Sequence, residues 1–471
     1  MPYLPDSTAR VPLPADSRLR ANQLVALLLA SAAYLGFAHA TPRTHFGQLL
    51  ALFGVAGGSY VWLLHTRLPL RWGLGAALAF RLLWLPATPA LSDDFHRFRW
   101  DGLLTGSGTS PFAQTPRQLL QAPPLGVPLS VLRPLLAQLN SPDYYSVYPP
   151  VAQLLYGASA RIFPASQAGF IGLVRGVLLL ADGAVAGLLL WLLPRAGWPA
   201  RRALVYLLHP LAIVEVAGNL HLEGLVVCWL LLAGALLLRG QLGLAGGALG
   251  LAVATKLLPL LVLPLLLRQL GWARFGRLAA VLAATLALLF WPLVSWSLLV
   301  HFSLSLNLYF QHFEFNAGLY YLLRALARHA VGYNPIAYLG PALAGASALL
   351  ALGLARWWRH PTLAQLPQLL LLTLSGYFAL STVVHPWYLV PLVALSCFSP
   401  LRFALVWAGL VVLSYGAYQT VVYSENLVFV ALEYLAVLTW AGTELYYRTP
   451  LLPRSAHLAS ALGRRGPILL P

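Results

Sequence analysis

A chain of 471 residues that is 59 % hydrophobic and 9 % charged is far more apolar than a soluble domain, in which about 25 % of residues carry charge. The formal charge of +17 does not point to nucleic acid, because its 30 Lys and Arg punctuate apolar runs and do not gather into one basic surface. Cys228 and Cys397 stand far apart inside such runs, as small buried thiols do, so neither a disulfide framework nor a redox role is expected.

The composition describes an all-α, polytopic transmembrane bundle. Taking about 20 apolar residues per span, helices are expected near 23–40, 46–64, 70–90, 169–194, 276–296, 336–355, 402–422 and 427–446. Ala38-His39-Ala40 loosely fits a signal cleavage site, but an uncleaved first helix is the preferred reading. Three further stretches, 203–238, 243–267 and 363–398, carry polar or kinked centres at Asn219/His221/Glu223, Lys256 and His385-Pro386. Halves of ~12–18 residues would be ~18–27 Å long, short of a ~30 Å hydrocarbon core, so these stretches read as hairpins of short helices with polar apices. The total is about 12–14 helices.

Basic residues test this layout, since cytoplasmic flanks hold most of them. Arg10/18/20, Arg67/71, Arg195/201/202, Arg239, Arg268/274/277, Arg356/359, Arg402 and Arg448/454/464/465 fall on one side. The other side receives segment 91–167, the polar apices and segment 297–335, with fewer arginines, Arg43 among them. The expected organisation is a cytoplasmic segment 1–22, a transmembrane domain 23–447 with an outer loop 91–167, and a cytoplasmic tail 448–471. Within the outer loop, Leu125–Leu139 and Val151–Phe163 have helical apolar spacing and are expected to lie along the interface.

The 13 acidic residues are few enough for their positions to carry information. In Ser92-Asp93-Asp94-Phe95-His96-Arg97-Phe98-Arg99-Trp100-Asp101-Gly102, Ser92 or Asp93 is expected to cap a short helix that Gly102 stops. Asp94, Arg97 and Asp101 then share a face, either as an ion-pair ladder or as part of a site. One His and one carboxylate at 221 and 223 fall short of a zinc ligand set, and no metal is expected. Lys256 is the one lysine in the chain, and an ammonium in an apolar segment costs ~2.5–3.5 kcal/mol unless it faces water or an anion. Snorkelling to the interface is the competing reading of it. A candidate base, cationic donors and apolar surroundings on one membrane face suit a lipid-phosphate substrate.

Ser92-Asp93-Asp94 with Arg97, Trp100-Asp101-Gly102, Gly108 and Ser110-Pro111-Phe112 together resemble the first long outer loop of bacterial polyprenyl-phosphate-dependent mannosyltransferases of the GT-C superfamily. Tyr148-Pro149-Pro150, His209-Pro210 through Glu223, Ala254-Thr255-Lys256-Leu257, Phe315 to Tyr321 and His385-Pro386-Trp387-Tyr388 follow in the family's order, so the resemblance covers roughly residues 70–400. The chain departs from it at Thr109-Ser110-Pro111-Phe112, where relatives often have Asn-Pro-Tyr, and at Phe98, where tyrosine is usual.

The resemblance implies transfer of mannose, with inversion, from a polyprenyl-phosphate-linked donor to a hydroxyl of a glycolipid, glycan or protein acceptor at the outer face of a bacterial inner membrane. It implies Asp94 as catalytic base, with Asp93 in support and no cofactor beyond the lipid-phosphate co-substrate. Lys256, Arg97 and His385 are then candidates to stabilise the departing phosphate, and Asp101, Tyr148, Asn219, His221, Glu223, Asn316 and Tyr388 complete the expected binding set. Membrane lipids are expected partners and nucleic acid is not. A flippase for a lipid-linked sugar, or an outer-face polysaccharide polymerase, are the alternatives; a carrier should show ionisable groups at the midplane and repeated halves.

Overall fold

The computed structural model describes residues 18–122, 126–311, 313–358, 362–420 and 423–446. Arg10, Leu125, Arg359 and the expected tail 448–471 lie outside the described residues. The described chain is helical, with one isolated bridge between Phe315 and Val383.

The first helices are α1 (Ala21–Ala40), α2 (Phe46–His65) and α3 (Leu70–Leu82). The outer loop folds into α4 (Asp94–Gly106), the single turn α5 (Pro116–Leu119), α6 (Leu129–Leu136) and α7 (Pro150–Ile162). The long α8 (Gln167–Arg195) leads to α9 (Ala203–Leu207), α10 (Pro210–Ala212) with a π turn at Ile213–Gly218, and α11 (Glu223–Leu238). Next come α12 (Leu242–Thr255), α13 (Leu263–Leu270), α14 (Trp272–Phe290), α15 (Trp296–Gln311), α16 (Gly318–Val331) and α17 (Ile336–Trp357). The chain closes with α18 (Leu366–Leu380), α19 (Val390–Ser396), α20 (Phe403–Leu410) with a 3-10 extension Val411–Tyr418, and α21 (Leu427–Tyr446).

Among the described residues six helices are long and apolar enough to cross a membrane, and the pair Pro210–Gly218 and Glu223–Leu238 makes a seventh, bent by 111°. With five shorter apolar helices, this is the multi-pass bundle that the hydrophobic runs predict. All three interrupted stretches break at the polar residues noted in the sequence. The first turns at Asn219–Leu222, where Leu220 takes a positive φ of 66°. The second leaves its helix at Lys256, whose backbone is extended. The third opens at Ser381–His385, where Phe315 N–H donates to the Thr382 carbonyl and Val384 N–H to the Phe315 carbonyl.

Three boundaries differ from expectation, and the first is the span expected over 402–422, which is the short α20 with its 3-10 extension ending at Tyr418. The third span was expected over 70–90, but α3 ends at Leu82 because Pro86 and Pro89 interrupt the apolar run. Gly102 does not stop α4, which continues to Gly106. Its function is close packing: a Cβ at Gly102 would lie 2.4 Å from the Tyr156 carbonyl oxygen, so α7 crosses α4 with backbone against backbone.

Arg81, Arg175 and Asp182 inside the bundle are held by ion-pair and hydrogen-bond partners, as hydrocarbon requires. Arg81 on α3 donates to Asp182 on α8 at 2.6 Å, and Tyr206 donates to the same carboxylate at 3.0 Å. Arg175, fully buried on α8, donates to the carbonyls of Leu85 and Ala87 after α3 and of Ala217 and Gly218 at the bend, at 2.6–3.2 Å. The arginine-bearing turns share the opposite pole. There Arg201 donates to the Leu68 carbonyl, Arg202 to the carbonyls of Ser396 and Cys397, and Arg268 to that of Ala355.

Candidate active site

Four polar apices meet at one pole. Asp93 precedes α4 as its N-cap residue but makes no side-chain capping bond. Contrary to the expected cap, its carboxylate pairs with Arg43 from the α1–α2 turn, and the Arg43 guanidinium lies 4.9 Å from the centre of the Tyr418 ring. Ser92 does what the motif suggests, its hydroxyl accepting from Asp94 N–H at 3.3 Å.

Asp94 stands in the first turn of α4, partly exposed, and accepts from the Asn140 amide at 2.9 Å. It takes no part in the ion-pair ladder. Burial of its carboxyl raises its pKa above the ordinary aspartate value; the Asn140 bond and the charges of Lys256 and Arg43 oppose that shift, and Asp93 adds to it.

Lys256 reaches across from the end of α12 and pairs with Glu223 at the start of α11. Its ammonium also sits 4.4 Å from the centre of the Tyr388 ring. The Glu223 side chain is 3 % exposed and that of Lys256 34 %, so the lysine holds its charge against Glu223 and the Tyr388 ring and does not snorkel away from them. Trp387 is sandwiched between His221, at 3.8 Å, and His385, at 4.4 Å, both rings nearly parallel to it. Behind them Asn219 donates to Glu215 at 3.0 Å, and Tyr415 donates to the same carboxylate.

Buried polar atoms normally have partners. Around this pole Asn219 Oδ1, His385 Nδ1 and the Tyr156 hydroxyl have no hydrogen-bond partner in the protein, and His221 Nε2 lies 3.5 Å from the Glu215 carboxylate. These groups, beside a lysine and a carboxylate, are able to bond a polar ligand.

Asp94, His221, Glu223, Lys256, His385 and Tyr388 thus come together as the sequence suggests, with Asn219 directly behind. Arg97 and Asp101 are placed differently. Arg97 donates to Asp101 at 2.8 Å and to the carbonyls of Ser141 and Tyr144, while Asp101 also accepts from Ser146 and from Gln153 at 3.1 Å. Both are buried and hold the 141–148 loop and α7 against α4. Tyr148 packs edge-on against Phe98 and Tyr156 in the same layer. Asn316, at φ 49°, is a brace: it donates to both Glu433 oxygens at 3.1 Å and its carbonyl accepts from Tyr434.

Arg43, Asn140 and Trp387 complete the site. Trp387 stands in the His385-Pro386 motif, whose aromatic residues read from the sequence either as a surface at the apex or as part of an interfacial belt. Arg43 carried a usable signal, as a charge in a short turn on the side with few arginines. Asn140 carried none, because it reaches Asp94 from 46 residues away along the chain.

Among curated proteins none matches this sequence. A solved structure, ArnT from Cupriavidus metallidurans bound to undecaprenyl phosphate, is similar at 15 % identity with a TM-score of 0.38, over 79 % of this chain and 72 % of that one. The sequence profile of the alpha-(1->6)-mannopyranosyltransferase N-terminal domain matches residues 20–274, more than half of the chain and all of the segment from α1 through Asp94, Glu223 and Lys256. The chain belongs to the alpha-(1->6)-mannopyranosyltransferase family and is a multi-pass membrane glycosyltransferase.

Proposed function

We propose that this protein transfers mannose from a polyprenyl-phosphate donor to an acceptor hydroxyl at the outer face of a bacterial inner membrane, with inversion. The observation that carries the reading is the pairing pattern of the three carboxylates Asp93, Asp94 and Glu223. Asp93 is neutralised by Arg43 and Glu223 by Lys256, which leaves Asp94 as the carboxylate held by a neutral amide alone.

Asp94 takes the proton of the acceptor hydroxyl, and the oxygen forms its bond to the anomeric carbon as the bond from that carbon to the phosphate oxygen breaks. The electron pair leaves with the phosphate. A glycosidase needs a second carboxyl group to protonate its leaving group, whereas phosphate departs unaided once its charge is stabilised. Lys256 supplies that charge, with His385 and His221 as further donors. The polyprenyl chain stays between the short helices, and the head group alone enters the polar cavity. Arg97 and Asp101, assigned to substrate from the sequence, act in this reading by fixing the loop that carries Asn140.

Incubation of the purified protein with radiolabelled polyprenyl-phosphate-mannose and a lipid extract tests the reaction. Label should move to an acceptor in an anomeric configuration opposite to the donor's. Retention of configuration overturns the single-displacement mechanism, and donor crossing a vesicle bilayer without transfer identifies a carrier.

Orientation is tested separately. Single cysteines at Ser107 and Ser141 should react with a membrane-impermeant thiol reagent in intact cells, and one at Ser455, outside the described residues, should not. The reverse pattern places the site in the cytoplasm.

A further inference from the structure

Two ion pairs, Arg43–Asp93 and Lys256–Glu223, lie near Asp94. With Lys256 and Glu223 lie Tyr388 and the His221–Trp387–His385 stack, at the mouth of the broken membrane hairpins. Arg43 and Asp93 line an open cavity of about 600 Å³ between the α1–α2 turn and the segment Ala90–Asp93. That volume falls within the ~300–1,000 Å³ of clefts that take small ligands.

The lining of this cavity is mixed. It holds His39, Thr41, Arg43, Thr44 and Asp93 together with Phe37, Pro42 and three alanines. The hydroxyls of a sugar meet hydroxyl, imidazole, guanidinium and carboxylate groups there, and its ring carbons meet the apolar residues between them. The Arg43–Asp93 pair forms the wall nearest Asp94, with side chains 30 % and 33 % exposed. A guanidinium beside a carboxylate offers both donors and acceptors to neighbouring hydroxyls of one sugar ring. Tyr418 lies under the Arg43 guanidinium and helps to hold it in place.

Resting on the glycosyl-transfer reading, we infer that this cavity is the acceptor subsite: it takes the terminal hexose of an oligosaccharide and aims a hydroxyl at Asp94, while the donor lies beside Lys256. Arg43 is its specificity-determining residue. The ligand chemistry is that of a neutral sugar chain, which either a free oligosaccharide or a glycolipid headgroup provides.

Two acceptor probes separate these sources: free α-(1→6)-mannobiose and octyl α-mannoside, each assayed with polyprenyl-phosphate-mannose. Thr44→Trp fills the mouth of the cavity, and Arg43→Gln keeps a polar side chain but loses the charge. Both variants should raise the acceptor KM by about tenfold or more while donor KM stays within about twofold, the separation expected for a lost binding contact on one substrate. A rise for both probes assigns the cavity to the sugar itself; a rise for octyl α-mannoside alone overturns the sugar subsite. If donor KM rises and acceptor KM holds, the cavity belongs to the donor phosphate and the inference fails. Unchanged constants in Arg43→Gln sink it too, even if Thr44→Trp does not fold. A wild-type protein that transfers nothing from polyprenyl-phosphate-mannose to any acceptor instead refutes the underlying reading.

Discussion

Asp94→Asn should lower the transfer rate by ~10²–10⁴-fold while donor affinity is kept, because asparagine preserves size and most hydrogen bonding but cannot accept the proton. Asp93→Asn should act more mildly. It loses a partly exposed ion pair with Arg43, worth ~0–1 kcal/mol, and no capping bond, so its effect falls on acceptor KM. Initial rates and donor affinity of both variants at matched protein levels distinguish the outcomes. An inactive Asp93→Asn beside an active Asp94→Asn exchanges the two roles, and near wild-type rates in both remove the base from this pair. The pH profile adds an independent readout. The raised pKa of Asp94 means that its basic form is lost below a pH higher than for an ordinary aspartate, so the acid limb of kcat/KM lies correspondingly high. Asn140→Ala removes the bond that favours the carboxylate and should move that limb higher still.

Lys256→Met should cost in two ways that a double variant separates. A charge-assisted contact to the donor phosphate is worth ~1.5–3 kcal/mol, about ten- to a hundredfold in donor use. The substitution also strands Glu223, which is 3 % exposed, at a cost below the ~3–5 kcal/mol of breaking a fully buried pair because Lys256 is 34 % exposed. Folded yield should therefore fall with donor use in Lys256→Met. In Lys256→Met combined with Glu223→Gln the buried charge is gone, so yield should recover while donor use stays low. Recovery of both assigns the lysine to Glu223 alone. Lys256→Arg keeps the charge without the compact shape and should rescue only in part.

The broken hairpins were legible because a bilayer penalises polar residues: Asn219, His221, Glu223, Lys256 and His385 could not sit in lipid, and each marks an apex. The same argument applied to Arg81, Arg175 and Asp182 would have located the internal clamps, whose charges are written inside apolar runs. Their partners were not legible, since Arg175 takes carbonyls from residues 85–87 and 217–218 and no periodicity encodes that meeting. Arg97 and Asp101 show the limit on the candidate site. Their i,i+4 spacing predicts the 2.8 Å bond between them, but whether the pair faces a ligand or the protein depends on Ser146 and Gln153, decided by tertiary packing. Gly102 was misread for a related reason, as glycine both ends helices and lets them touch.

Arg81, Arg175 and Asp182 bear on how the loop carrying Asp94 keeps its shape. The loop leaves α3 and returns at α8, and α8 is joined to α3 by the Arg81–Asp182 pair and to the segment just after α3 by the Arg175 bonds to Leu85 and Ala87. A secreted enzyme often secures such a loop with disulfides, yet both cysteines here are free and buried elsewhere. Sliding α3 away from α8 would expose bare ions to hydrocarbon, which has no groups to solvate them. The lipid therefore serves as the staple: the catalytic loop is tethered by what its surroundings refuse to dissolve, and that tether is indifferent to reductant.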